Sequence, residues 1–119
     1  PRFKIVSFTR DVSTASGTQA VTGVGGTPIV VIFAATITTT NTFSIGFDDG
    51  TTALLVRAND GITTDTWAQT TQSIWMQVGG AGTDYYGKIT ALGSDGFTVT
   101  WTKEGSPTGT ATINALCFI

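Results

Sequence analysis

Residues Tyr85–Thr102, YYGKITALGSDGFTVTWT, decide the fold. In an extended chain Phe97, Val99 and Trp101 point one way and Thr98, Thr100 and Thr102 the other, as in a sheet with one dry side. The connection Gly93-Ser94-Asp95-Gly96 to Tyr85–Leu92 is short enough for a tight hairpin with a Gly at positive φ. Working outward, the same pattern recurs at Phe3–Phe8, Thr18–Val24, Ile29–Ala35, Phe43–Asp49, Ala53–Ala58, Ser73–Val78 and Thr110–Phe118. Turn signals separate them, among them Gly25-Gly26-Thr27-Pro28, Asp49-Gly50 and Asn59-Asp60-Gly61. Thr36–Thr42 reads as a polar connection, and Ile62–Gln72 as a long loop holding Trp67.

Composition agrees with this reading. Thr is the commonest residue, Gly numbers 15, and the chain has one Glu, three Lys and three Arg. Such a supply suits pleated strands and tight turns rather than helices. The sequence therefore predicts an all-β fold: one domain over residues 1–119, an antiparallel, jelly-roll-like sandwich of two sheets with about nine strands. Residues 1–10 read as an N-terminal arm or an edge strand.

Charge and residue usage exclude much chemistry. Six Lys+Arg against eight Asp+Glu leave a net charge of -2, which offers no basic surface to a phosphate backbone. There is no His, so the commonest general base and metal ligand is missing. A single Cys allows no internal disulfide, and Cys117, in an apolar strand, reads as an inert buried thiol. Neither an apolar run of membrane-spanning length nor a signal-peptide core is found. No cofactor, metal, nucleic acid or membrane is expected, and no enzyme.

Some residues are nevertheless candidates for sites. Asp48, Asp49 and Asp60 precede glycines. They read as turn formers, since the spaced acidic loop that calcium needs is absent. Lys4 and Asn114, on the terminal strands, allow an autocatalytic amide crosslink in chemical principle. Trp67, Trp75, Tyr85 and Tyr86, with Asp65, Asp84 and Gln77 near them in sequence, form the candidate for stacking on sugar rings. Three stretches are apolar on both sides: Ile29–Ala35, Leu54–Val56 and Ala115–Ile119. A small sandwich has one interior, so these strands lie mid-sheet or at a subunit contact. The candidate oligomer or capsid interface is accordingly Leu54 and Val56, Leu116 and Phe118, and on the first strand Arg2, Phe3, Lys4 and Arg10. A homo-oligomer is expected, a closed three-fold ring by preference.

Gly17–Gly25 (GTQAVTGVG), Thr27-Pro28 and Ile29–Phe33, then Phe43–Thr51 (FSIGFDDGT), Ile89–Gly109 and Ala111–Phe118, together resemble a β-sandwich domain of tailed-bacteriophage virion proteins. The resemblance spans most of the chain, and its markers are turn and core residues. It implies a structural role in the virion, as a capsid decoration (cement) protein bridging the major capsid protein, or as a head or tail fibre module that binds bacterial glycan. It transfers no catalytic residue. Gly26 departs from the pattern, standing where an aromatic such as Phe is expected, which opens space at that turn.

Overall fold

The computed structural model describes residues 2–38, 40–59, 66–80 and 82–119. Among them are ten strands: β1 Phe3–Asp11, β2 Gly17–Val21, β3 Val30–Ile37, β4 Thr42–Asp48, β5 Ala53–Asn59, β6 Thr66–Gln69, β7 Ile74–Gln77, β8 Asp84–Gly93, β9 Gly96–Glu104 and β10 Thr110–Phe118. They form two antiparallel sheets, a six-stranded one in the order β1-β10-β3-β4-β5-β6 and a four-stranded one in the order β2-β9-β8-β7. The chain ends alternate between sheets in jelly-roll fashion, while β3 to β6 and β7 to β9 run as simple meanders. Of the N-terminal stretch, Phe3–Arg10 thus lie in an edge strand, β1, paired only with β10.

The tenth strand, β6, lies inside the stretch read as a loop. TWAQ carries no alternation of its own, and its extended form comes from pairing with β5, where Trp67 sits opposite Arg57. The Asp60-Gly61 turn and Asp65 lie outside the described residues.

The β8–β9 hairpin forms as its sequence demands, with Gly93 opposite Gly96 and a register shift between Ile89 and Ala91. At Gly96 a Cβ would fall on the carbonyl oxygen of Val21, so only glycine lets β9 start beside β2. Asp95 secures this corner: its carboxylate accepts the Gly23 N–H at 3.1 Å and the Gly25 N–H at 2.8 Å. Gly26 opens no space. A Cβ there would lie 2.5 Å from Ile119 Cγ2, because the Ile119 side chain already occupies the turn.

The apolar core lies between β1, β10 and β3 on one side and β2, β9 and β8 on the other. Phe8, Phe33 and Phe97 meet edge to face, with centroids 5.6 to 6.4 Å apart. Val99, Trp101 and Ile113 are almost wholly buried beside them, each contributing roughly 1.5–3 kcal/mol of transfer free energy. β3, apolar on both faces, lies between β10 and β4 as expected of a strand too sticky for an edge.

Candidate functional site

The site begins with an inversion on β4. Phe43, Ile45 and Phe47 alternate with Ser44, Gly46 and Asp48 as the sequence indicates, but the polar side faces in. Thr42, Ser44 and Asp48 are buried, while Phe43, Ile45 and Phe47 are 47%, 38% and 46% exposed. The reason is the free edge of β7, which pairs only with β8 and points its other edge at β4. Backbone groups buried there need partners. Ser44 Oγ accepts the Trp75 N–H at 3.1 Å, and Thr42 Oγ1 accepts the Gln77 N–H at 3.1 Å. Asp48 Oδ2 accepts both the Ser73 hydroxyl at 2.6 Å and the Ile89 N–H at 2.8 Å. β7 approaches so closely that a Cβ at Gly46 would fall on the Ser73 carbonyl oxygen. Once these positions face in, the two-residue period sends the aromatic set outward.

Register carries that choice across the sheet. Ile5, Leu116, Ile32, Phe47 and Leu54 align across five strands as one apolar row. The next row runs Ser7, Asn114, Ala34, Ile45, Val56 and Ala68, and a third runs Thr9, Thr112, Thr36, Phe43 and Ala58. Phe3 pairs with Phe118 and Phe118 with Val30 at one end. No residue in these rows carries a charge. In the second row two polar side chains meet, Ser7 Oγ donating to Asn114 Oδ1 at 2.8 Å. Phe3, Ile5, Phe43, Ile45, Phe47, Leu54 and Val56 are each 38–68% exposed, on the order of 600 Å² of apolar surface together. That alone reaches the top of the ~300–600 Å² found for the largest patch on an ordinary monomer. The outer face of the four-stranded sheet is different: Thr18, Thr98, Thr100 and Thr102 share it with Lys88 and Glu104, as the register requires.

Five of the eight residues expected at an interface lie on the apolar face: Phe3, Leu54, Val56, Leu116 and Phe118. The three basic ones do not. Arg2 donates to the Gly25 carbonyl at 2.9 Å. Lys4 lies opposite Cys117, on the alternate side of the edge strand. Arg10 turns inward, Nε donating to Tyr85 Oη at 2.9 Å with the guanidinium carbon 5.9 Å from the Tyr85 ring centroid. A crosslink between Lys4 and Asn114 is excluded by register, since Asn114 sits opposite Ser7 and on the other face from Lys4. Phe43, Ile45 and Phe47, central to the face, and Ile5, on its edge strand, were not among the expected contacts. Alternation marks two sides of a strand without saying which is dry. Gly46 and Asp48 on the polar side of β4 were the available hint.

The sugar-stacking group comes apart. Tyr85 is fully buried, because its position on β8 faces the core against Trp101, so it offers no surface to a glycan. Trp75 and Tyr86 instead lie parallel, 4.0 Å apart, on the outer side of the four-stranded sheet. The Arg57 guanidinium carbon lies 4.0 Å from the Trp67 ring centroid and 4.7 Å from that of Trp75. The result is a column Trp67, Arg57, Trp75, Tyr86 that closes the side of the sandwich. With Tyr86 on one side and Arg57 against the ring, little of Trp75's face remains for a sugar.

Burial pushes Arg57 below its ordinary value, opposed by the Asp84 carboxylate 3.9 Å away. Arg57 Nη1 also donates to Gln77 Oε1 at 3.1 Å, and Trp75 Nε1 to Asp84 Oδ1 at 3.0 Å. Tyr86 donates to Glu104, and this bond, aided by burial, pushes its phenol up to about 12.

Acidic groups elsewhere serve turns. Asp49 accepts the Thr51 and Thr52 N–H groups, which hold its carboxyl below the ordinary value. Cys117 is buried on the core side of β10, and burial pushes its thiol up. A hollow of about 300 Å³ brings Asp48 and Lys88 to one lining, but both Asp48 carboxylate oxygens are already bonded within the fold. No protein-family model, curated protein or solved structure matches the chain in comparisons with known proteins.

Proposed function

We propose that this chain is a non-enzymatic structural protein of a bacteriophage virion, of the capsid-decoration kind. It assembles with copies of itself, a three-fold ring by preference, and bridges neighbouring subunits of the shell. One observation carries the adhesive part of this reading: the outer face of the six-stranded sheet is broad and apolar, with a charge only at its end, Asp11 of β1, among the described strand residues, while the opposite outer face is rich in Thr and charge. Contiguous apolar patches of this size mark surfaces that other polypeptides cover. The phage assignment rests on the sequence resemblance and is a proposal throughout. Mechanistically, a preformed brick adds modest burial at each contact, and lattice multiplicity makes attachment long-lived.

The test is co-sedimentation with shells that lack the protein. Saturable binding, with shells that resist heat or chaotrope better once coated, is the expected result. Shells that neither bind nor gain stability would overturn the proposal.

The receptor-module alternative keeps a narrower footing in the Trp75–Tyr86 stack flanked by Asp84, Glu104 and Arg57. It requires saturable glycan binding that disappears in Trp67→Ala or Trp75→Ala.

A further inference from the structure

The outer face of the six-stranded sheet is not uniformly flat. Phe43 stands on it as a knob between two hollows. On the β10 side, a hollow of about 210 Å³ opens over Ala34, with Phe43, Ile45, Thr112 and Asn114 around it. On the β6 side, one of about 390 Å³ opens over Ala58 and Ala68, between Phe43 and Val56. Both exist because small residues alternate with large ones along the rows: Ala34 sits opposite Ile45, and Ala58 opposite Phe43. A cavity of roughly 150 Å³ takes a benzene ring. Either hollow therefore has room for one phenylalanine ring.

We infer that the occupant of this face is a second copy of the chain, with Phe43 of one copy seated in the hollow over Ala34 of the next. This rests on the self-assembly part of the proposed function and names its contact. Three features single out a second copy. Knob and hollow are carried by the same face, so each copy supplies what its neighbour needs. The rows from Phe3 to Thr9 carry no charge, and Asp11, the next residue of β1 on this face, lies at its end bonded to Ser13, so two copies with a net charge of -2 each meet across those rows without like charges opposed. The exposed apolar area, on the order of 600 Å² before its Ala and Thr residues are counted, approaches the ~800 Å² per partner of a standard interface. A strongly charged partner would leave its ions desolvated and unpaired against this surface.

Sedimentation velocity over a wide concentration range tests the inference, with shell co-sedimentation run on the same samples. Phe43→Ala removes the knob, and Ala34→Trp fills the hollow; both positions are exposed, so each monomer keeps its fold and its circular dichroism. The wild type is expected to associate, and each variant to weaken association at least tenfold. Lys88→Glu, on the opposite sheet, is expected to leave association unchanged. Mixing Phe43→Ala with Ala34→Trp restores one knob-and-hollow junction, so the mixture is expected to associate more tightly than either variant alone.

Wild-type association unaffected by both substitutions would overturn the inference while leaving self-assembly intact. A wild type that stays monomeric yet binds shells would assign the face to the shell and also overturn it. A chain that neither associates nor binds shells would sink the functional reading itself.

Discussion

Asp48 joins the two sheets from the end of β4. Its carboxylate takes the Ser73 hydroxyl, the Ile89 N–H and the Gly50 N–H, and the side chain is almost completely buried. Removing it leaves buried donors without partners, each costing about 1–3 kcal/mol. Asp48→Ala is therefore expected to lower unfolding free energy by roughly 3 kcal/mol or more in urea titration. Asp49→Ala, two exposed turn bonds away from the core, is expected to cost clearly less. The surface carboxylates set the acid response. Backbone N–H groups hold Asp95 and Asp49 below the ordinary 3.8, and Ser13 holds Asp11 below it. Groups shifted down in the folded state contribute stability that is present above their unfolded pKa and lost as pH falls through the folded one. Melting temperature is accordingly expected to be level between about pH 7 and 5 and to fall below about pH 4. Asp95→Asn is expected to flatten part of that fall.

At the scale of elements, the decisive event is how β7 meets β4. Ser44 and Thr42 cap two N–H groups of a buried strand edge, so Ser44→Ala or Thr42→Ala is expected to cost about 1–3 kcal/mol each. Gly46→Ala is expected to be worse than an ordinary strand substitution, because its Cβ meets backbone that has nowhere to retreat. Thermal unfolding of the three variants checks both statements.

This contact also marks where the sequence stops being legible. Hairpins such as β8–β9 are local: alternation plus a short Gly/Asp turn specifies them, and they form as read. The apolar stretch of β3 carries its own requirement for a central place. The inward side of β4 is set by the free edge of β7, almost thirty residues later in the chain, as with Ser44 and Trp75, separated by 31 residues. β6 likewise exists through its partner β5. Tyr85 looked like a surface aromatic because Tyr85-Tyr86 gives one residue to each face, and only the pairing of Met76 with Tyr85 says which is inside.

For the whole molecule, the consequence is a brick of 42 × 24 × 22 Å with two unlike outer faces. The core lies under β1, β10 and β3, and polar groups fill the contact of β7 with β4 and β5. One outer face holds Thr, Lys88 and Glu104, the other rows of Ile, Leu, Phe, Val and Ala. The three stretches singled out in the sequence as apolar on both sides, Ile29–Ala35, Leu54–Val56 and Ala115–Ile119, contribute to that second face, which is why an outward apolar surface was legible before its centre was. Adhesion through it predicts strong association in salt, since no surface ion pairs are there to screen. Raising sodium chloride is expected to leave the proposed self-association intact or tighten it, as sedimentation in low and high salt will show.

Hydroxyl-radical footprinting at two concentrations tests the central claim most directly. Phe43 and Phe47 are predicted to be oxidised in dilute solution and protected in concentrated solution, while Phe33 and Phe97 stay protected in both. Phe43 and Phe47 protected even at high dilution would place them in a core, and equal oxidation at every concentration would show that nothing covers the face; either result contradicts the account.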